Sequence, residues 1–324
     1  MINLATPSRE LLNSFKNQDV LDIAQFSREE LEAILYAAYC YEERMAHGKH
    51  IRDMEIKIMA SLFFEPSTRT RLSFEAAMMR LGGQVFTVTE SLDAQTSSIA
   101  KGETMYDTIK VVDNYADIVV CRSPLKDSRF EIAQASEKPV INAGDGGSQH
   151  PTQAILDMFT IFKEKDTPDN LTIALVGDLK NGRTVHSLAD ALSMYKVKLI
   201  LVSPERLPMP EENMIRLHEK GVEVEEVNDL NYAVKNSDII YMTRVQRERF
   251  VDLEKYEKVK DMFILTEEHR SLFKKGAIIM HPLPRVNEIV VELDSYEGAA
   301  YFRQAANGLP TRMALLSLLT GSFK

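Results

Sequence analysis

The run FFEPSTRTR, residues 63–71, concentrates hydrogen-bond donors where a predicted strand passes into a predicted helix. Main-chain N–H groups at the start of a helix favour an anion. The hydroxyls of Ser67, Thr68 and Thr70 and the guanidinium of Arg69 add donors to the same small volume. The run therefore predicts a phosphate-binding site.

A simpler interpretation of this run is an ordinary capped helix, with Ser67 or Thr68 as the N-cap and Arg71 paired with Glu75 one turn later. We predict that ion pair. A cap needs only one hydroxyl, however, and does not explain the arginine and the other hydroxyls. The G-x-x-x-x-G-K-[ST] spacing of a nucleotide-binding P-loop is absent from the sequence, so ATP is not implied.

A second run, GDGGSQHPTQ at residues 144–153, is a glycine-rich loop that leads into a helix. His150 and Gln153 lie about one helical turn apart, so their side chains should share one lip of a cleft. A neutral histidine can donate to a carbonyl oxygen, and a glutamine can contact an amide. Alone, such a histidine is more often a structural residue.

A third run, GDLKNGRTVHS at residues 177–187, also follows a strand and opens a helix. Gly177 and Gly182 are too far apart for the G-x-G-x-x-G spacing of dinucleotide-binding turns, so a nicotinamide cofactor is not predicted. Arg183, at the entrance of the helix, is better interpreted as a ligand of a carboxylate.

Arginines also follow other predicted strands. Arg122 follows the strand at 118–121, Arg244 lies in YMTRVQ, and the run HPLPR begins at residue 281. Each arginine alone could be a solvated surface residue. Ligands of open α/β sheets bind beyond the carboxyl ends of the strands, and the repeated placement of arginines there predicts a convergent site for anions.

The elements that carry these runs alternate between strands and helices. Helices are predicted at 27–45, where Ser27 and Glu30 have capping-box spacing, and at 71–81, 104–115, 152–163 and 309–319. Strands are predicted at 56–64, 85–88, 118–121, 140–142, 173–176, 199–202, 239–242 and 278–280. We therefore predict an α/β fold of two domains, residues 1–150 and 151–307, each a mostly parallel sheet flanked by helices. The apolar C-terminal helix, within residues 308–324, should pack back on the N-terminal domain.

Composition narrows the function classes. Among 324 residues, 48 acidic side chains exceed 39 basic ones, and a net charge of −9 argues against a nucleic-acid surface. Cys40 and Cys121 lie far apart in apolar segments, and His47 and His50 lack carboxylate or thiol neighbours, so neither a disulfide framework nor a metal site is predicted. No signal peptide or membrane span is recognised, which predicts a cytoplasmic protein.

Taken together, the runs EPSTRTRLSFE, SSIAKGET, GDGGSQHPTQ, GDLKNGRTVHS with YMTRVQRER, and HPLPR resemble the aspartate/ornithine carbamoyltransferase family over essentially the whole chain. The aspartate branch of the family matches best. The resemblance implies transfer of a carbamoyl group from carbamoyl phosphate to the amino group of L-aspartate, with N-carbamoyl-L-aspartate and phosphate as products. This is a step of pyrimidine biosynthesis and would need no cofactor.

The resemblance also implies which residues bind carbamoyl phosphate. The phosphate would be bound by Ser67, Thr68, Arg69, Thr70 and Arg122. The carbamoyl oxygen would be polarised by Thr70, Arg122 and His150. The carbamoyl amide would be held by Gln153 and by the carbonyls of Leu283 and Pro284.

For L-aspartate, the resemblance implies that Arg183 binds the α-carboxylate and that Arg244 and Gln246 bind the β-carboxylate. Ser97 and Lys101 would reach the active site of a neighbouring chain, where Lys101 would contact aspartate and take part in catalysis. A homotrimer with shared active sites is therefore expected. A separate regulatory chain is left open.

Two alternatives remain. An ornithine carbamoyltransferase would need a carboxylate or thiol for the side-chain ammonium of ornithine, whereas Arg244 and Gln246 offer donors to an anion. Pro282 also stands where the ornithine branch tends to carry cysteine. A non-catalytic, anion-binding homologue is the second alternative, and it is disfavoured because every donor position of the motif set is kept.

Overall fold

The computed structural model describes residues 2, 4–89, 102–247, 250 and 252–324. It divides into a first unit, Ile2–Phe159 with Asn307–Lys324, and a second unit, Thr160–Ala306. The predicted domain break after residue 150 coincides with the start of a continuous helix, Pro151–Lys165, and the division between the units falls inside that helix.

The first unit is built on a four-stranded parallel sheet. Its strands are β1 (Ile58–Phe63), β2 (Gln84–Val88), β3 (Ile118–Ser123) and β4 (Val140–Asp145), in the spatial order β2-β1-β3-β4. The helices that begin in this unit are α1 (Arg9–Ser14), α2 (Arg28–Ala46), α3 (Thr68–Arg80), α4 (Met105–Val112), α5 (Ser128–Ala135) and α6 (Pro151–Lys165). The core lies between the sheet and these helices.

The second unit has a five-stranded parallel sheet. Its strands are β5 (Thr172–Val176), β6 (Lys198–Val202), β7 (Glu223–Val227), β8 (Ile239–Met242) and β9 (Ile278–Met280), in the spatial order β7-β6-β5-β8-β9. The helices that begin here are α7 (Arg183–Leu192), α8 (Glu211–Glu219), α9 (Leu230–Asn236), α10 (Leu253–Glu257) and α11 (Tyr301–Leu319). Both predicted parallel sheets are thus confirmed.

Local chemistry explains why α2 begins where it does. The Oγ of Ser27 accepts a hydrogen bond of 3.2 Å from the main-chain N–H of Glu30, whose carboxylate accepts one of 2.8 Å from the N–H of Ser27. This reciprocal pair satisfies donors that the first turn of a helix would otherwise leave exposed. The predicted capping box is confirmed, and α2 buries one apolar face that includes Leu31, Ile34, Leu35 and Ala38.

The last helix, α11, is longer than its sequence suggests. A helix was predicted from residue 309, beside Pro310, but α11 begins at Tyr301 and continues through the proline. Its final part belongs to the first unit, where the ring of Tyr41 packs against Phe323 just beyond the helix and the carbonyl of Leu319 accepts a hydrogen bond from the N–H of Asn17. The predicted return of the chain to the N-terminal domain is confirmed.

Each sheet contains a point where its strand order reverses. β1 lies between β2 and β3, and β5 lies between β6 and β8. The carboxyl ends of two neighbouring strands then lead into loops that diverge, and the crevice left between them is where open α/β sheets bind ligands. Across the described part of the chain, no helix combines the length and apolar character that a membrane crossing requires.

Candidate functional site

The predicted phosphate-binding run lies at the strand-order reversal of the first sheet. β1 ends at Phe63, which pairs in parallel register with Arg122 of β3, and α3 begins at Thr68 with Ser67 as its N-cap. Within the described residues, the side chain of Ser67 makes no capping hydrogen bond. Ser67 is thus the N-cap by position, but the simpler interpretation, in which its hydroxyl serves only to cap α3, does not describe this helix start.

The side chains around this helix start differ in exposure. Thr70 is buried, whereas Thr68 and Arg69 are exposed. Arg71 Nη1 lies 4.0 Å from Glu75 Oε1, so the ion pair predicted along the helix is present. Arg71 and Glu75 therefore form a structural ion pair within the helix. The donors that precede them in the run, residues 67–70, form a separate group at the end of the sheet.

Arg122 joins the end of β3 to the loop that follows β1. Its Nε lies 3.2 Å from Glu65 Oε2, and its Nη1 donates to the carbonyl of Ala143 over 3.4 Å. Its own carbonyl accepts a hydrogen bond of 2.9 Å from the N–H of Phe64. The structure thus brings Arg122 to the start of the run that contains Arg69, as the sequence predicts.

Cys121, the residue before Arg122, offers no nucleophile. Its side chain is buried, and burial raises the pKa of its thiol well above the usual range. A protonated thiol is a weak nucleophile. Covalent catalysis at this position is therefore disfavoured.

His150 follows a turn that is fixed by side-chain and main-chain contacts. The carboxylate of Asp145, at the end of β4, accepts from the N–H of Gln149 over 3.3 Å. Gly146 has a φ of +46°, and a Cβ there would lie 3.0 Å from main-chain atoms of Lys126, so a larger residue would be strained and crowded. The turn therefore presents His150 in one place, with its side chain buried.

Gln153 lies one turn after His150 on α6. Its Nε2 donates a hydrogen bond of 2.8 Å to Oδ1 of Asp157, which is fully buried. Between them in sequence, Thr152 Oγ1 lies 3.5 Å from Nδ1 of His150. The structure therefore places His150 immediately before α6 and Gln153 on the first turn of that helix, close to where their spacing predicts.

At the strand-order reversal of the second sheet, the loops after β5 and β8 are in direct contact. Gly177 has a φ of +119°, and a Cβ there would lie 2.2 Å from the carbonyl oxygen of Thr243. Only glycine permits this close approach. The Oγ1 of Thr243 also donates to the carbonyl of Val176 over 2.9 Å, which holds the two strand ends together.

Asp178 links the two predicted aspartate-binding runs. Its carboxylate accepts from the main-chain N–H of Asn181 over 2.9 Å and from that of Gln246 over 3.4 Å. The side-chain Nε2 of Gln246 donates to the carbonyl of Asn181 over 2.9 Å. Gln246 therefore touches the loop that ends at Arg183, the first residue of α7.

His186, one turn into α7, was not singled out from the sequence. Its Nε2–H donates to the carbonyl of Leu179 over 2.7 Å, and burial lowers its pKa. The neutral imidazole of His186 therefore holds the loop before Arg183 through this hydrogen bond. Its position three residues after Arg183 was the available signal, since residues at that spacing lie on neighbouring parts of a helix surface.

The HPLPR loop is held by a buried pair that the sequence did not indicate. His281 Nε2 lies 2.7 Å from Glu288 Oε1, and the N–H of Leu283 donates to His281 Nδ1 over 2.8 Å. Burial alone would raise the pKa of Glu288, but the hydrogen bond from His281 and main-chain donors outweigh it, and the pKa is lowered. The peptide bond between Leu283 and Pro284 is cis, and Leu283 has a φ of +52°.

Arg285, at the end of HPLPR, is engaged by other side chains of the second unit. Its guanidinium forms a bidentate hydrogen bond with the carboxylate of Asp294, with 2.7 Å between Nη2 and Oδ2. It also donates to the hydroxyl of Tyr301 over 3.1 Å. The contact with Asp294 raises the pKa of Arg285 further. Arg285 is thus built into the structure of its unit.

The predicted residues divide between the two units. Ser67, Thr68, Arg69, Thr70, Arg122, His150 and Gln153 belong to the first unit, and Arg183, Arg244, Gln246, Leu283 and Pro284 belong to the second. Ser97 and Lys101 lie outside the described residues. Within the described part of the chain, no group of three or more His, Cys, Asp or Glu side chains could hold a metal ion.

Each unit therefore presents cationic and hydrogen-bonding groups beyond the carboxyl ends of parallel strands. The first unit combines hydroxyls, a helix start and two arginines, which suits a phosphate. The second combines Arg183 at a helix start with Arg244 and Gln246, which suits carboxylates.

Comparison with known proteins identifies one family over most of the chain. Residues 18–163 match the carbamoyl-P binding domain of aspartate/ornithine carbamoyltransferase, and residues 169–319 match its Asp/Orn binding domain. The aspartate carbamoyltransferase catalytic subunit of Picrophilus torridus is 49% identical over 94% of this chain and 99% of its own length. That of Thermococcus onnurineus is 49% identical over 95% of this chain and 98% of its own length.

Solved structures are also similar. The catalytic subunit of M. jannaschii aspartate transcarbamoylase has a TM-score of 0.86 and 44% identity, covering 93% of this chain and 97% of its own. Aspartate transcarbamoylase from Trypanosoma cruzi in complex with carbamoyl phosphate and aspartate has a TM-score of 0.89 and 38% identity, covering 95% and 98%. The chain belongs to the aspartate/ornithine carbamoyltransferase family.

Proposed function

We propose that this chain transfers the carbamoyl group of carbamoyl phosphate to the amino group of L-aspartate, giving N-carbamoyl-L-aspartate and phosphate. The observation that carries the proposal is the placement of anion-binding donors at the strand-order reversals of both sheets, around Arg69 and Arg122 in one unit and around Arg183 and Arg244 in the other. The likeness to catalytic subunits at 49% identity supports it.

The reaction requires one bond to form and one to break. The amine nitrogen of aspartate attacks the carbamoyl carbon, and negative charge develops on the carbamoyl oxygen. The bond from that carbon to the phosphate oxygen then breaks, and the leaving phosphate accepts the proton that the amine loses. No protein nucleophile takes part, so catalysis consists of positioning and charge stabilisation.

We assign these tasks to the predicted residues. Ser67, Thr68, Arg69, Thr70 and Arg122 bind the phosphate, and the last two act with His150 on the carbamoyl oxygen. Gln153 and the carbonyls of Leu283 and Pro284 hold the carbamoyl amide. Arg183 binds the α-carboxylate of aspartate, and Arg244 and Gln246 bind the β-carboxylate.

A paired assay tests the substrate assignment. The purified chain is given carbamoyl phosphate with L-aspartate or with L-ornithine, and the ureido product is measured by its colour reaction. We expect product with aspartate and a rate at least about a hundredfold lower with ornithine, since ornithine would place an ammonium against Arg244. Equal rates, or product with ornithine alone, would favour the ornithine alternative. No product with either would favour the non-catalytic alternative.

We further propose that active sites are shared between copies of the chain in a homotrimer, with Ser97 and Lys101 supplied by a neighbour. The test mixes two variants with strongly reduced activity, Lys101→Ala and His150→Ala, after mild dissociation. If each site needs Lys101 from one copy and His150 from another, mixed trimers contain native sites and activity returns. Activity that stays absent in mixed trimers, while remixed wild-type chains recover fully, would contradict sharing.

The cytoplasmic location and a separate regulatory chain also stay predictions. Cell fractionation tests the first. Purification of the untagged protein from its own cells, followed by mass measurement of the assembly, tests the second.

A further inference from the structure

Two buried charged residues lie behind Gln153 and have no place in the predicted ligand set. Asp157 on α6 is 0% exposed, and Arg312 on α11 is 3% exposed. All three residues belong to the first unit. Burying charges is costly unless they are paired and hydrogen-bonded, so their retention here calls for an explanation.

The contact between Asp157 and Gln153 determines the orientation of the glutamine carboxamide, that is, whether its NH₂ or its oxygen faces Asp157. Nε2 of Gln153 donates to Oδ1 of Asp157 over 2.8 Å. An ionised carboxylate can only accept hydrogen bonds, so only the NH₂ end of the carboxamide can face it. The Oε1 end of Gln153 must then point the other way, where it can accept from an N–H donor.

Arg312 is a buried cation that interacts electrostatically with Asp157. Its Nη1 donates to Ser73 Oγ over 2.9 Å, and its guanidinium lies 5.1 Å from the centre of the Phe74 ring. A Cβ on Gly308 would lie 2.2 Å from Nη1 of Arg312, so the guanidinium occupies the space that a side chain at position 308 would need. Burial lowers the pKa of Arg312 to about 10, and the charge of Asp157 opposes that shift, so Arg312 remains a cation near neutral pH.

We propose that Asp157 is a positioning residue that orients the carboxamide of Gln153, so that Oε1 receives the NH₂ of the carbamoyl group and the site selects an amide over a methyl group of the same shape. This inference rests on the proposed function, in which Gln153 holds the carbamoyl amide. Acetyl phosphate has a methyl group in place of the NH₂ and would leave a fixed acceptor without a partner. A site built to receive an N–H donor rejects analogues that lack one.

The test compares two stable ligands that differ only at this group. Phosphonoacetamide carries the NH₂, and 2-oxopropylphosphonate carries CH₃ at the same position; both keep the phosphonate and the carbonyl. Their dissociation constants are measured by titration calorimetry with the full-length protein. We expect the wild type to prefer the amide, and Asp157→Asn to reduce that preference about five- to tenfold, the effect of one neutral hydrogen bond. An asparagine can donate as well as accept, so it allows the carboxamide of Gln153 to turn over.

Asp190→Asn is a matched control, because Asp190 is also a buried carboxylate on a helix and is contacted by Arg216 over 3.2 Å in the second unit. It should leave the preference between the two ligands unchanged. A second variant, Arg312→Gln, tests the same preference between the two ligands. Without the cation, Asp157 would tend to bind a proton, could then donate to Oε1 of Gln153, and the preference should again fall.

The outcomes separate the positioning role from the proposed function. If Gln153→Ala abolishes the preference while both Asp157→Asn and Arg312→Gln keep it, the positioning role is overturned and the assignment of Gln153 stands. Equal weakening of both ligands in the Asp157 variant would also overturn it, since that pattern indicates a structural role alone. If Gln153→Ala keeps the preference, the assignment of Gln153 fails. If neither ligand binds the folded wild type, the proposed function itself fails.

Discussion

The Nη1 of Arg129 lies 2.5 Å from Oδ2 of Asp145, and both side chains are buried. Asp145 is the last residue of β4, and its other carboxylate oxygen accepts from Asn142 and from the N–H of Gln149, beside His150. Arg129, on α5, is thus connected through one carboxylate to the turn that presents His150.

From this relationship we predict that Arg129→Met lowers the free energy of unfolding by about 3–5 kcal/mol, because it leaves the carboxylate of Asp145 buried without its cation. Urea unfolding followed by circular dichroism measures the change. The double variant Arg129→Met with Asp145→Asn should recover part of the loss, since it removes the uncompensated charge. A loss below about 1 kcal/mol in the single variant would show that the pair carries little of the stability of the turn.

Substitution of His150 tests the proposed charge stabilisation. We expect His150→Ala to lower kcat about a hundredfold or more, the usual effect of removing one donor to a developing oxyanion, and to change KM for carbamoyl phosphate much less. Steady-state kinetics with saturating aspartate measure both constants. His218→Ala, an exposed histidine on α8, is the control and should leave both unchanged. An unchanged kcat in the His150 variant would remove His150 from this role.

Arg244 allows the aspartate side to be tested separately from the carbamoyl phosphate side. We expect Arg244→Gln to raise KM for aspartate about tenfold or more, because a hydrogen bond to a charged group contributes about 1.5–3 kcal/mol. Binding of phosphonoacetamide in the absence of aspartate should be unaffected. Arg247→Gln, three residues later and exposed, is the matched control. Equal effects of the two substitutions on KM would argue against a specific contact between Arg244 and the substrate.

Elements with a periodic pattern and a clear end signal could be predicted from the sequence. The capping box at Ser27 fixes the start of α2, and the short apolar runs give β8 and β9 at their predicted bounds. β7, with the sequence EVEEV, was missed because its charged residues hide the apolar alternation. In the structure, Lys198 of the neighbouring strand lies 3.0 Å from the carboxylates of both Glu223 and Glu225, so its charge offsets the repulsion between the two acidic side chains of this edge strand.

The residues that bear donors could also be recognised from the sequence, whereas the residues that orient them could not. Arg69 and His150 lie within compact motifs, and the chemistry of such motifs is local. Asp157 and Arg312 lie on different helices and are far apart in sequence, so only the tertiary fold brings their charges together. Pairs of this kind leave no periodic signal in a single sequence.

His186 gives a pH-dependent stability with a definite sign. Burial lowers its folded-state pKa below the usual value of 6.5, although the Leu179 carbonyl and the charge of Asp190 act in the opposite direction. The unfolded chain then binds more protons than the folded one as pH falls through about 6.5, so this contribution to stability is present at higher pH and is lost on acidification. One such group changes the free energy of unfolding by at most about 1.4 kcal/mol per pH unit.

We therefore expect the free energy of unfolding of the wild type to fall more steeply between about pH 7 and pH 5 than that of His186→Gln, in which the side-chain amide can still donate to the carbonyl of Leu179 but cannot titrate. Urea unfolding at half-unit pH steps measures the two slopes. Replacement of the exposed His218 by Gln provides the comparison for a histidine outside this contact, and its slope should match the wild type. Identical slopes for the wild type and the His186 variant would show that the imidazole takes up a proton as readily in the folded state as in the unfolded state. The loop before Arg183 would then have to open or rearrange around the charged imidazole at little cost.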